Sequence, residues 1–469
     1  MKNLFSGFDS FKPDEELKEQ TRERIISQKL DAVTPRRRPY KFAIAACAAS
    51  LAVVLSVTFI VGNPLSLFLE PTVEGGEEAD EAWRDTAMII KDSATAGTPD
   101  DAEIGEYTEI KESKKTTTTK KEMADGAATE ESSNQTISAG LLTAKYFCDN
   151  DKFPAWAALV KQGGVFSDFV LRWKLNTADR VGVYVKNGQS TVCGATVLLL
   201  DAQGKTLWSA VTDNKGRAYL FFNVTQTNEK PAKVRVSMGG VSVDQALNGK
   251  SEASVDLKAQ SFAKSLDLMF VVDTTGSMGD ELSYLQAEME DIIKRVKQEQ
   301  GNNPLRLSVN FYRDIGDEYV VRPFPFTTDI NQSISDLKKQ SSEGGGDFEE
   351  AVDEALKSAI HEHDWSDNAY AKLLFLVLDA PPHDEAADRI RQLTRDAAAR
   401  GIRIIPITGS GIDQNTEFLM RTLSVATGGA YVPLTNHSGI GGDHLEPTGE
   451  SAVYKLNDLI VKIIGDYMK

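Results

Sequence analysis

The run Leu266-Asp267-Leu268-Met269-Phe270-Val271-Val272-Asp273 is nearly continuous in apolar residues, ends in a carboxylate, and passes directly into Thr274-Thr275-Gly276-Ser277-Met278. A run that apolar reads as a strand covered on both faces, as in a parallel sheet. Behind it Leu282, Leu285, Met289, Ile292, Ile293 and Val296 recur at helical spacing. Open α/β sheets place their ligand crevice at the carboxyl end of such a strand. Asp273, Thr275 and Ser277 therefore set oxygen donors, and neither nitrogen nor sulfur, at the rim of a sheet. Hard oxygen donors suit Mg²⁺ or Mn²⁺.

Two further loops follow in order: Gly344-Gly345-Gly346-Asp347, and Leu374-Phe375-Leu376-Val377-Leu378-Asp379-Ala380-Pro381, a buried-type strand ending in Asp. Together with Asp273-x-Thr275-x-Ser277 they resemble the metal-ion-dependent adhesion site of von Willebrand factor type A domains. The resemblance covers roughly Phe262 to Lys469. It implies an α/β, doubly wound, mostly parallel sheet with a Mg²⁺ or Mn²⁺ site. In that site Thr275 and Ser277 ligate directly, Asp273 and Asp379 supply charge directly or through water, and Asp347 supplies the remaining protein oxygen. One coordination position stays open for a carboxylate from a partner. Gly346-Asp347-Phe348-Glu349-Glu350 is further similar to the integrin β-subunit version of the loop, which implies a metal contact for Glu350. The competing reading is a helix start, with Asp347 as N-cap and Glu350 reaching back to it. Asp280 and Glu281 stand where that subunit has a second metal site, although acidic residues are common in any first helical turn.

From Ser261 onward, strands alternate with amphipathic helices, the pattern of a parallel sheet covered on both faces. Leu305–Tyr312, Lys372–Leu378 and Ile402–Thr408 read as strands, and Ala430–Leu434 as a short last one. Glu318–Phe326 reads as an edge strand, because Pro323 and Pro325 would interrupt a central ladder. Phe348, Val352, Ala355, Leu356, Ala359 and Ile360 mark a helix opened by the glycine loop, and Ala386–Arg400 a second helix. Val453, Leu456, Ile460, Ile463 and Tyr467 form the stripe of a final one.

The first part of the chain is organised differently. Phe42–Gly62 has no charged residue and is long enough to span a bilayer as a helix. Arg36, Arg37, Arg38 and Lys41 precede it, and Glu70, Glu74, Glu77, Glu78, Asp80 and Glu81 follow. The positive-inside rule places residues 1–41 in the cytoplasm and the remainder outside. Within that tail, Asp14–Leu30 has helix-favouring composition and could dock on a cytoplasmic partner. Residues 63–140 are poor in large apolar side chains and read as a disordered tether. Residues 141–260 combine an aromatic-rich, partly helical lead-in with short strands. These are Arg180–Val185, Ala195–Asp201, Thr206–Thr212, Ala218–Val224, Lys233–Met238 and Ala253–Leu257, a spacing that suits a small β-sandwich. Gly194-Ala195-Thr196-Val197 with Thr212-Asp213-Asn214-Lys215-Gly216 is similar to prealbumin-like or carboxypeptidase-regulatory-like modules, which implies a spacer or packing domain. Residues 261–469 form the α/β domain.

The formal charge of −17 argues against a nucleic-acid partner, which needs basic surface to replace counterions. Cys148 and Cys193 are the one pair that could form an exported disulfide, with separately buried thiols as the alternative. No histidine spacing suits zinc, and no nucleophile–base pair can be assigned. The expectation is a non-enzymatic, membrane-anchored extracytoplasmic protein that binds a protein or envelope polymer through the ion. The alternative is a signalling or assembly component coupling the outer head to a cytoplasmic tail partner.

Overall fold

A computed structural model describes residues 137–469. The cytoplasmic tail, the apolar span Phe42–Gly62 and nearly all of the tether lie outside the described residues, and among those described no helix is long and apolar enough to cross a membrane.

The described chain opens with β1 (Thr143–Lys145), followed by α1 (Phe153–Val160) and α2 (Ser167–Trp173). A pair of four-stranded sheets comes next, built from β2 (Arg180–Asn187), β3 (Ser190–Thr191), β4 (Thr196–Leu200), β5 (Thr206–Val211), β6 (Arg217–Phe221), β7 (Lys233–Met238), β8 (Val241–Ala246) and β9 (Glu252–Asp256). One sheet runs β3-β2-β6 with β9 parallel on β2, and the other runs β5-β4-β7-β8. Their inward residues alternate as a period-two pattern requires: Val181, Val183 and Val185 on β2, Val197 and Leu199 on β4. β8 was not among the expected strands: Val241-Ser242-Val243-Asp244 alternates only briefly, and the strand buries no residue.

The α/β part contains β10 (Leu266–Asp273), α3 (Leu282–Gln300), β11 (Leu305–Tyr312), β12 (Val321–Arg322), α4 (Ile330–Lys338), α5 (Val352–Lys357), β13 (Ala371–Leu378), α6 (Ala387–Arg400), β14 (Ile402–Thr408), α7 (Gln414–Thr427), β15 (Val432–Pro433), β16 (Val453–Lys455) and α8 (Leu456–Met468). The sheet order is β12-β11-β10-β13-β14-β15, parallel throughout except for β12. Every residue of β10 is buried, as its unbroken apolar run requires. The edge strand expected over Glu318–Phe326 contracts to Val321–Arg322, just before Pro323. Val453 belongs not to the last helix but to β16, which pairs antiparallel with β1. The helix expected to open at the glycine loop begins only at Val352, with Ala351 as its N-cap, so Phe348 is not part of its buried stripe. The pairing of Asp347 as N-cap with Glu350 is therefore not the arrangement adopted.

Each face of the six-stranded sheet has its own core. One, around Phe270, Phe375, Met289 and Ile460, is closed by α3 and α8. The other, around Leu374, Leu376, Leu356 and Phe418, continues without a break into Trp173, Trp208, Val183 and Val236 of the lead-in and the β-sandwich. Polar contacts seal that junction. Arg395 donates to the Leu207 carbonyl at 2.6 Å with its guanidinium over the Trp208 ring, and Trp173 Nε1 donates to Asn415 Oδ1 at 2.7 Å. Arg421, buried on α7, pairs with Asp149 at 2.6 Å and Glu417 at 2.9 Å. Glu288 on α3 accepts the backbone N–H groups of Gly140, Leu141 and Leu142, fastening the entry of the described chain. Cys148 and Cys193 are both free, and burial pushes each thiol up to about 12.

A continuous core makes the sandwich and the α/β sheet one folding unit. Calorimetry of the full chain is expected to show one cooperative transition for both, and two separated transitions would contradict a shared core. Arg421→Ala leaves two buried carboxylates without their partner and is expected to cost about 3–5 kcal/mol in chemical denaturation.

Candidate metal centre

Strands β10 and β13 are neighbours in parallel register, with Val272 opposite Val377. Their carboxyl ends therefore deliver Asp273 and Asp379 to the same rim of the sheet. Asp273 is fully buried. Its Oδ1 accepts the Thr275 N–H at 2.9 Å and the Thr275 hydroxyl at 2.7 Å, a tight local turn that fixes the carboxylate plane. Its Oδ2 has no hydrogen-bond partner among the described residues. The Thr275 and Ser277 hydroxyls lie 3.1 Å apart, and Ser277 also hydrogen-bonds Asp379. Asp379 is 5% exposed and its Oδ1 is likewise without a partner.

The glycine loop lies over this rim. Gly276 N–H donates to the Gly344 carbonyl at 3.1 Å, and Glu343 N–H donates to the Thr274 carbonyl at 3.0 Å. Gly345, with φ of +73°, takes a backbone shape that side chains rarely adopt, and a Cβ there would stand 3.0 Å from Glu350 Oε1 and 3.4 Å from Thr275 Cβ. Glu350 is only 2% exposed, its N–H donates to the Pro381 carbonyl at 2.9 Å, and its Oε2 has no partner. The structure thus brings together Asp273, Thr275, Ser277, Asp379 and Glu350. Asp347 stands on the exposed edge of the loop, beside His383.

Burial and mutual repulsion govern the electrostatics. Loss of hydration, opposed by the Thr275 hydrogen bonds, raises Asp273 to about 6. Loss of hydration together with the Asp273 charge raises Asp379 to about 7. Burial and the charges of Asp273, Asp314, Asp379 and Asp317 raise Glu350 to about 9. Tyr312, fully buried at the end of β11, adds a hydroxyl beside Asp273 that burial and these carboxylates hold well above its ordinary pKa.

Several participants were not evident from sequence. Asp314 lies just beyond β11 and meets His383 Nε2 at 2.9 Å; burial opposes the imidazolium there, but the Asp314 hydrogen bond wins and lifts the His383 pKa. Asp317 Oδ2 accepts from Asp314 N at 3.1 Å and Gly345 N at 2.9 Å, tying the loop after β11 to the glycine loop. The segment Tyr312-Arg313-Asp314-Ile315-Gly316-Asp317 carried the only available signal, carboxylates following a buried strand. Glu281 is buried, accepts from Ser410 N at 3.1 Å, and faces His444 Nε2 at 2.9 Å, whereas Asp280 is exposed. Of the remaining histidines singled out, His363 is buried against the Ser358 carbonyl and Asn310, and His361 pairs with Asp396.

Among the described residues no group of three or more His, Cys, Asp and Glu side chains is placed to hold a metal ion by itself. The donor set is mixed, carboxylate plus hydroxyl, which fits a hard cation that keeps part of its water. Asp273, Asp379 and Glu350 each keep a buried oxygen without a hydrogen-bond partner, near the hydroxyls of Thr275 and Ser277, and such unsatisfied oxygens are what a hard cation would pair.

Residues 267–442 match a family model described as von Willebrand factor A domain. The rat von Willebrand factor A domain-containing protein 7 is 31% identical over 154 residues, which span 31% of this chain and 16% of that protein. An ariadne-like protein with a RING finger from Acanthamoeba polyphaga mimivirus is 27% identical over 191 residues, 36% of this chain and 18% of its own length. The chain therefore matches less than a fifth of either relative. Among solved structures, an aerotolerance-related membrane protein from Bacteroides fragilis aligns at 12% identity and TM-score 0.30, covering 43% of this chain and 100% of that one. BatB from Bacteroides thetaiotaomicron, a conserved hypothetical protein, aligns at 11% identity and TM-score 0.30, covering 43% and 98%.

The raised carboxyl pKa values have a definite sign. Between the ordinary carboxyl range and about 9, the folded state holds protons that the unfolded state has released. Metal-free protein is therefore expected to lose stability as pH rises from the ordinary carboxyl range towards about 9, most steeply below about 6 where all three groups contribute. Melting curves in EDTA should show this decline, and Asp379→Asn should make it shallower below about 7. A melting temperature independent of pH across that window would contradict the arrangement.

Proposed function

We propose that this chain, which carries a von Willebrand factor A domain, is an extracytoplasmic, metal-dependent binding protein that captures a protein or envelope ligand through a carboxylate. The observation that carries the reading is the convergence of unpartnered, buried oxygens of Asp273, Asp379 and Glu350 beside the hydroxyls of Thr275 and Ser277. A bound Mg²⁺ or Mn²⁺ would neutralise this charge and offer an open position to an oxygen ligand. Asp273, Thr275, Ser277, Asp379 and Glu350 are the residues that would hold it. Asp347 stays at the exposed edge of the glycine loop.

The surroundings of the rim suggest what kind of partner fits. Ile315 is 66% exposed and Phe348 is 42% exposed, and each adjoins in sequence an acidic residue whose charge acts on His383, Asp314 by direct contact and Asp347 through its field. Large apolar side chains exposed beside a polar centre are the expected make-up of an interface patch. A partner carboxylate flanked by an apolar residue matches both features. Among the described residues we assign no assembly of nucleophile, base and acid, and an ion with an open position is insufficient for catalysis. The charge asymmetry around Phe42–Gly62, with Arg36, Arg37, Arg38 and Lys41 before it and acidic residues after it, supports an anchor with this head outside the cell.

Selection of a phage-displayed peptide library on the full chain in Mg²⁺, with elution by EDTA, tests the reading. Recovered peptides are expected to carry Asp or Glu next to an apolar residue, and Asp273→Ala should recover none. Ile315→Ser and Phe348→Ser should each weaken a recovered peptide about tenfold while leaving Mg²⁺ affinity unchanged. Recovery of acid-free peptides, or equal recovery on Asp273→Ala, would contradict it.

A further inference from the structure

The outward face of the β-sandwich holds a cavity of about 450 Å³ that the metal centre does not use. Its floor is Gly182, in the middle of β2. The register places Gly182 opposite Tyr219 of β6 on one side and Glu252 of β9 on the other, so all three point to the same face. One step along, Tyr184 stands between Arg217 and Ser254. A glycine inside a strand weakens it unless something must approach closely. Among the described residues nothing needs the room: a Cβ on Gly182 would meet nothing nearer than Glu252 Cγ at 3.9 Å. The slot is open for a ligand.

Its walls specify the ligand's chemistry. Arg180 lies between the rings of Phe153 and Tyr219, at 3.8 and 4.5 Å from their centres, and burial draws its pKa down. Among the described residues its hydrogen bonds run from Nη1 alone, to the Asn150 carbonyl and side chain at 2.8 Å each. Arg217 Nε faces Asp213 Oδ2 in an ion pair at 3.4 Å, and Nη1 reaches Asp151 at 3.2 Å. Guanidinium groups only donate, and the carboxylates of Glu252 and Asp151 only accept, Asp151 being paired with Arg217 itself. Two positive and two negative groups make the lining neutral in formal charge, so neither an anion nor a cation finds an unopposed counter-charge there. A neutral molecule whose groups both donate and accept satisfies both kinds of group at once, and vicinal hydroxyls do so. Tyr184, 38% exposed, adds an aromatic face of the kind a flat C–H surface stacks on.

We propose that this slot binds a neutral saccharide, about a disaccharide in extent, independently of the metal centre. Saturation-transfer difference spectroscopy on the full chain, with maltose, cellobiose and N,N′-diacetylchitobiose as probes, tests it. At least one disaccharide is expected to show transferred signal that persists in EDTA and in Asp273→Ala, which separates this site from the metal reading. Gly182→Leu, which fills the slot, should abolish the signal with an unchanged melting temperature. Should that variant misfold, Tyr184→Ala should lower the same signal. No transfer to any of the three, transfer unchanged in the slot variants, or binding of glucuronate or the dipeptide Gly-Phe in their place overturns the proposal.

Discussion

Two carboxyl groups at the ends of adjoining parallel strands, and a third just after the glycine loop, all withdrawn from water, are the constraint on which the rest of this molecule turns. Taking a single ionised carboxylate out of water costs several kcal/mol even after the protein relaxes around it. Asp273 offsets part of that cost by accepting two hydrogen bonds from Thr275, yet its second oxygen, and one oxygen each of Asp379 and Glu350, receive nothing. Without a counter-charge these groups hold protons up to about 6, 7 and 9. With a hard divalent cation they become a preorganised oxygen cage. The fold supplies the rigidity that either state requires, because β10 and β13 are buried along both faces and cannot swing apart to rehydrate their ends.

The loops around the rim are held by backbone rather than by side-chain packing. The glycine loop crosses the first loop through two main-chain hydrogen bonds, and Gly345 passes so close to Thr275 and Glu350 that a side chain would press on both. Asp317 holds the same loop from the side of β11, and Glu281 with His444 holds the segment beyond β14. The β-sandwich, expected as a spacer or packing domain, is merged into the core beneath one face of the sheet. Displacing it would expose Trp173, Trp208 and Phe418 together, so the head presents the metal rim and the sandwich slot as one body.

What could be read from the chain alone follows from how local each feature is. The apolar runs ending at Asp273 and Leu378 announced both central strands and two carboxylates of the site, because burial on both faces leaves a continuous pattern. The helix Gln414–Thr427 gave no such signal. It is buried almost all round, with Glu417 and Arg421 paired inside, so it has no polar face to set a helical period. The different placement of Asp347 and Glu350, both expected at the metal, was not local either. It depends on where the glycine loop turns, and Glu350 enters the cluster because its backbone is bonded to Pro381 on another element. Asp314 and the Glu281–His444 pair belong to the same class: acidic residues ordinary in sequence, made significant by what folds against them.

The central claim is that one divalent cation sits among these oxygens. Anomalous diffraction from a crystal of this protein soaked in Mn²⁺ tests it most directly. The account predicts a single strong peak within bonding distance of the Thr275 and Ser277 hydroxyls, facing Asp273 Oδ2, Asp379 Oδ1 and Glu350 Oε2. A map with no peak there, or with manganese bound only at other carboxylates on the surface, would contradict it.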